Sequence, residues 1–211
     1  MHKSLSLLVL AIAAGCGGNR SPSAAPKPDP LINVPIATAA LAGQQVVVLP
    51  LTLAVPSEQL AGDTLLGVRA KVLPWSDSLL AEALTGRAPE VTWVGPAELR
   101  RIARRSAGLA GDPDHFGHAV LRDPLLKFVP DPLRSQLRTL VALTEARYAL
   151  APAMATFARD SAGIKVELSL VIADARTGMV VWRSVATADG ATPPAAFRAA
   201  MARVLPVEGV Q

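Results

Sequence analysis

Residues 164–189 limit this chain more than any other stretch. Ile164, Val166, Leu168, Leu170 and Ile172 alternate with Lys165, Glu167, Ser169, Val171 and Ala173, the period of two that marks a strand with one buried face. Asp174-Ala175-Arg176-Thr177-Gly178 follows. Its Asp can accept hydrogen bonds from the backbone just after it, and its Gly can take the left-handed conformation, so a hairpin loop is predicted there. The chain returns through Met179-Val180-Val181-Trp182-Arg183-Ser184-Val185. Burying the large aliphatic side chains of the first strand contributes on the order of 10 kcal/mol gross, an upper bound because an unfolded chain already hides part of that surface. Such a hairpin is a structural centre, not an active site.

The start of the chain speaks to location. Met1-His2-Lys3 is basic, residues 5–14 are apolar apart from Ser6, and Ala13-Ala14-Gly15-Cys16 closes the segment. A basic start, an apolar run of about 10 residues and small residues before a cleavage point describe an export signal, whereas a spanning helix needs about 20. The last four residues resemble the lipobox of bacterial lipoproteins, with Ala13 where Leu is usual. That resemblance implies a diacylglyceryl group on the Cys16 thiol, which becomes the mature amino terminus. Cys16 is the only cysteine, so no internal disulfide can form and the fold must rest on its apolar core. The other reading is a plain secretory signal with an incidental cysteine. Gly17, and not Asp, follows the cysteine, which by the sorting rule of enteric bacteria points to the outer membrane, facing the periplasm.

The expected domains are a signal peptide at residues 1–15, a lipidated, flexible Pro/Ala-rich tether at 16–42, one α/β domain at 43–206 and a tail at 207–211. Within the domain, Gln45-Val46-Val47-Val48-Leu49-Pro50-Leu51 suits a strand buried on both faces. Residues 53–71, broken by Pro56, Gly62 and Gly67, read as a loop. Ser76 or Asp77 offers an N-cap for a helix stopped by Gly86. Val91-Thr92-Trp93-Val94 is a short strand, and Gly95-Pro96 opens a second helix. Asp131-Pro132 reads as cap and first residue of a third helix carrying Leu133, Leu137, Leu140, Val141 and Thr144. Tyr148 to Ala155 is a candidate strand in which Pro152 suits an edge or a bulge. Ser161-Ala162-Gly163 turns into the hairpin. Thr192 caps a last helix that buries Ala196, Phe197, Ala200, Met201 and Val204 and is ended by Pro206. The fold class is therefore α/β (α+β), a mixed sheet of four to five strands with a C-terminal antiparallel hairpin, flanked by about four helices.

Few residues offer chemistry. On the second helix Arg100, Arg101, Arg104 and Arg105 flank an apolar face of Leu99, Ile102 and Ala103. They suit anionic headgroups or an acidic partner, or else form a solvated face whose stems cover apolar surface. His115 and His118 beside Asp112 and Asp114 stand at a spacing at which zinc could be ligated, but Asp-Pro pairs more often begin turns. Residues 108–130 are therefore expected to be ordinary loop, with no metal and no cofactor, and a likelier place for a partner contact than the core. The formal net charge is +4; the export signal and the lack of aromatics among the arginines nonetheless argue against nucleic acid. No Gly-x-Ser-x-Gly elbow, phosphate loop or His-Glu-x-x-His is present, so an enzyme is not expected.

The order of elements resembles the small α/β domain shared by the amino-terminal part of TolB, the curli secretion-channel lipoprotein and the lipoprotein activators of penicillin-binding proteins. Val47-Val48-Leu49-Pro50 and Asp174 through Gly178 with Trp182 carry the resemblance, which spans about residues 43–206. It implies a non-catalytic, lipid-anchored protein that binds or assembles with an unidentified envelope protein through an exposed strand edge or the 108–130 loop. The alternatives are an oligomeric secretion component and a metal- or carboxylate-dependent periplasmic enzyme.

Overall fold

The computed structural model describes residues 32–161 and 163–205. The signal segment, Cys16, the tether up to residue 31, Ala162 and Pro206 with the tail lie outside them.

Six strands form one mixed sheet. β1 (Gln45–Val48) pairs in parallel with β3 (Thr92–Val94) on one side and with β4 (Tyr148–Asp160) on the other. β2 (Ala54–Pro56) runs parallel to β4 farther along the same side. β4, β5 (Gly163–Asp174) and β6 (Val180–Gly190) follow one another as an antiparallel meander. Four α-helices are described: α1 (Arg69–Arg87), α2 (Pro96–Arg105), α3 (Leu133–Leu143) and α4 (Pro193–Val204). None of the described helices is long and apolar enough to cross a membrane. The predicted α/β class and the C-terminal antiparallel hairpin are both present.

The hairpin's alternation has the anticipated consequence on one face. Ile164, Val166, Leu168, Leu170 and Ile172 are buried in a cluster with Phe197, Met201 and Val204 of α4 and Leu80 and Leu84 of α1. On the other face Val171 and Ala173 are buried too, beneath Leu133, Leu137 and Leu140 of α3. The far half of β5 is thus covered on both sides, while Lys165 and Glu167 face solvent. The turn closes as its residues predict: Asp174 Oδ1 accepts the backbone N–H groups of Arg176 and Thr177, and Gly178 has φ +77°. Thr192 Oγ1 likewise accepts from the Ala195 N–H and caps α4.

Several boundaries differ from expectation. α1 begins at Arg69, so Ser76 and Asp77 lie inside it and cap nothing; Pro74 is carried within the helix. Packing outweighs that proline. Val72 is buried, and the Trp75 ring stands edge-on to Phe197 at 5.6 Å and to Phe157 at 6.3 Å, fastening the first turns to α4 and the sheet. β2 lies in the segment expected to be loop. Pro152 sits in the interior of β4, at the register shift between Pro152 and Met154, so it marks a bulge and not an edge. Asp131 does not cap α3 through the backbone; its Oδ1 accepts from the Ser135 hydroxyl.

The folded body also begins earlier than residue 43. Ile32 forms a parallel bridge with Val185, Asn33 exchanges hydrogen bonds with Thr187, and the Ile36 N–H donates to Val204 O. Ile36 and Leu41 are buried. Residues 32–42 belong to the domain because their backbone groups are satisfied by β6 and α4.

Candidate interaction surface

Arg100 does not join a basic patch. Its Nε lies 3.0 Å from each Asp114 carboxylate oxygen, Nη2 donates to Asp114 Oδ1 at 2.8 Å, and Nη1 donates to Asp77 Oδ2. Asp77 comes from α1 and Asp114 from a 3-10 turn, Pro113–His115, so one guanidinium ties three segments together. Burial raises the Asp77 carboxyl above the usual carboxylate range: its Oδ1 has no partner, and Arg100 is shared with Asp114. A recess of about 380 Å³ opens beside the cluster between Arg100, Arg104, Gly108 and Asp112. One guanidinium shared by two carboxylates makes this cluster a clamp between segments. Of the other arginines, Arg101 pairs with Glu98, while Arg104 and Arg105 are exposed on α2.

The two histidines separate. His115 is exposed and its Nδ1 lies 3.1 Å from Asp112 Oδ2. His118 is fully buried, with Nε2 2.8 Å from Pro50 O and Nδ1 without a partner. The Nε2–H tautomer donates to that carbonyl. Burial pushes the ring down to about 4, so it stays neutral at ordinary pH. Asp114 pairs with Arg100 while Asp112 pairs with His115, and among the described residues no three His, Cys, Asp or Glu side chains gather as metal ligands.

The segment expected to be loop is an ordered strap. A second 3-10 turn, His118–Arg122, packs on β4, and Phe116, Leu121 and Val129 are buried. Arg183 of β6 donates to Leu121 O at 2.6 Å and to Leu126 O at 3.0 Å. The Val129 N–H donates to Gly178 O, and the Val180 N–H to Lys127 O. With Ile32 bridged to Val185 and Asn33 bonded to Thr187, the outer edge of β6 is occupied by the chain itself at its start and through its middle. The open strand edge anticipated as a contact is therefore not available along β6. Beside the exposed Arg122, Asp123 and Lys127, four large apolar side chains are exposed here: Leu125 and Phe128 of the strap and Met179 and Val181 of the hairpin.

A second apolar feature adjoins this one at Val181, where residues 36–41 meet the end of the hairpin. Ile36, Ala37, Leu41, Tyr148, Ile172 and Trp182 line a cleft of about 220 Å³. Trp182 Nε1 donates to Pro35 O at 3.1 Å, which fixes the indole. The Arg147 guanidinium stands 5.0 Å from the Tyr148 ring centre while pairing with Asp174. Sequence reasoning singled out Trp182 only as part of a motif and missed Tyr148 as a wall. The cleft's walls come from four separate segments, which no local pattern announces.

These features define an α/β domain in which Arg100 and Arg147 are held by carboxylates and several large apolar side chains stand exposed. No family model matches the chain, and no curated protein is detectably similar to it in sequence. Solved structures are similar to it. The C-terminal domain of LpoB from Escherichia coli matches at 14% identity and a TM-score of 0.41, covering 71% of this chain and 85% of that one. Lipoprotein GNA1162 from Neisseria meningitidis matches at 13% and 0.36, covering 70% and 81%. The PelC dodecamer from Paraburkholderia phytofirmans matches at 14% and 0.36, covering 84% and 90%.

Proposed function

We propose that the chain is a non-catalytic lipoprotein of the bacterial cell envelope, anchored by acylated Cys16 in the outer membrane, that binds another envelope protein through the cleft between residues 36–41 and the hairpin end. The observation that carries this reading is the pairing of Tyr148 and Trp182 across an apolar opening of about 220 Å³. That size suits one or two side chains of a partner, and aromatic walls such as the hydrogen-bonded Trp182 and the Arg147-backed Tyr148 are where interface energy concentrates. Absence of chemistry is supported by the state of the polar groups: His118 is sealed, and Arg100 and Arg147 are committed to carboxylates.

The test is in-cell photocrosslinking. A photoreactive residue at Ala37 or Ala40, both exposed at the cleft, should give an adduct with one envelope protein, and the same residue at Glu82 on α1 should not. No adduct from either cleft position, or the same adducts from all three, contradicts the proposal.

A further inference from the structure

Leu125, Phe128, Met179 and Val181 are 60%, 56%, 45% and 50% exposed. They lie along one sheet edge, because Phe128 bridges Met179 and the Val180 N–H bonds to Lys127 O. Cations belong to the same strap and turn: Arg122 and Lys127 are exposed, and Arg134 reaches the hairpin turn, where its Nη2 donates to Thr177 O. The nearby acids are Asp123 and Asp131. Their carboxylates already accept from the Leu125 N–H and the Ser135 hydroxyl. The chain also enters the fold here. Ile32 is exposed and bridged to Val185 on this same edge of β6, and the residues leading back to Cys16 join at that point.

The geometry points to a bilayer contact: the strap and the outer edge of β6 form a face that rests on an anionic lipid surface. Large apolar side chains ringed by Lys and Arg meet both layers of such a surface, the apolar tips entering the acyl boundary and the cations meeting headgroup phosphates. A protein interface is the poorer fit, since Lys is depleted from interface centres and Lys127 stands beside Phe128. The entry point at Ile32 bears on the inference only through the acyl anchor proposed above, whereas the side chains bear on it without that anchor.

The test uses the chain from Gly17 onward, which carries no cysteine and hence no acyl group; every described strand, helix and apolar cluster lies within residues 32–205. It should sediment with vesicles of three parts phosphatidylethanolamine to one part phosphatidylglycerol at low salt, and not with phosphatidylcholine. Lys127→Glu with Arg122→Glu should lower that partition about tenfold or more, each cation near the surface being worth about fivefold. Leu125→Ser with Phe128→Ser should lower it about tenfold through lost apolar insertion. Arg104→Glu with Arg105→Glu on α2 should leave it within about twofold, because those side chains face elsewhere. No partition of the parent chain, or equal losses from the α2 pair, overturns the inference. So does a photoreactive residue at Phe128 that crosslinks in cells to protein and not to lipid, which assigns the face to a protein partner. None of these results alters the outcome of crosslinking at the cleft.

Discussion

The Arg147 guanidinium pairs with the Asp174 carboxylate at 2.9 Å, joining the residue before β4 to the last residue of β5. The same carboxylate accepts two backbone N–H groups of the turn, so one buried side chain both closes the hairpin and fixes its end to the neighbouring strand. Replacing Asp174 by Ala should cost about 1–3 kcal/mol, the range for stranding buried donors. Arg147→Ala should cost less, because half of that side chain faces water. Urea denaturation of the two variants checks the order. Burial opposes the Asp174 charge, but the turn N–H groups and Arg147 outweigh it and hold the carboxyl below its usual range. A depressed folded value stabilises above the unfolded pKa and is lost as pH falls through the folded value, so this contribution should disappear only in strong acid.

His118 gives pH dependence in a different window. Its folded value of about 4 lies below the ordinary 6.5, so the unfolded chain binds the proton more readily between them. Stability should be full above pH 6.5 and fall by up to about 3 kcal/mol as pH drops towards 4. Arg69, which lowers the value, and Asp114, which raises it, are the charges that bear on the ring. Denaturation midpoints at pH 7.5 and 4.5 should differ more in the parent chain than in His118→Gln. Equal differences contradict the assignment.

Two glycines should respond in opposite directions. A Cβ on Gly190 would lie 2.3 Å from the Ala196 nitrogen and 2.8 Å from the Ala195 carbonyl carbon, within the backbone of α4. Gly190→Ala should therefore destabilise by about 3 kcal/mol through overpacking. Gly86, near the end of α1, has nothing within 4 Å of its Cβ position. Gly86→Ala should stabilise by about 0.5–1 kcal/mol, the helix-propensity difference.

The Arg183 clasp should govern the strap and little else. Removing its guanidinium leaves Leu121 O and Leu126 O without that donor. In Arg183→Ala the Val129 and Val180 amides should exchange hydrogen faster, by local opening, while those of α1 and α4 keep their rates. Uniform acceleration would mean that the strap does not open as a separate unit.

The hairpin and α4 were legible because their signals are local. Alternation, an Asp-to-Gly turn and a Thr cap each act within a few residues, and the buried sets followed directly. The first turns of α1 were not legible, since they persist through the contacts of Trp75 with Phe157 and Phe197, far along the chain. β2 is three residues long and ends in Pro56, too short for any period. Among the candidate residues, Arg100 was read from its own helix. Its role is set by Asp77, 23 positions earlier, and by Asp114, 14 positions later. The cleft was invisible for the same reason: Ile36, Tyr148, Ile172 and Trp182 meet only through the topology.

The anchor at Cys16 underlies the proposed role most directly, and incorporation of labelled palmitate by growing cells measures it. The parent chain should take up label and sediment with membranes, and Cys16→Ser should take up none and leave the membrane fraction after leader removal or remain as precursor. Equal labelling of the two chains, or an unlabelled parent free in the cytosol with residues 1–15 intact, would contradict the lipoprotein reading.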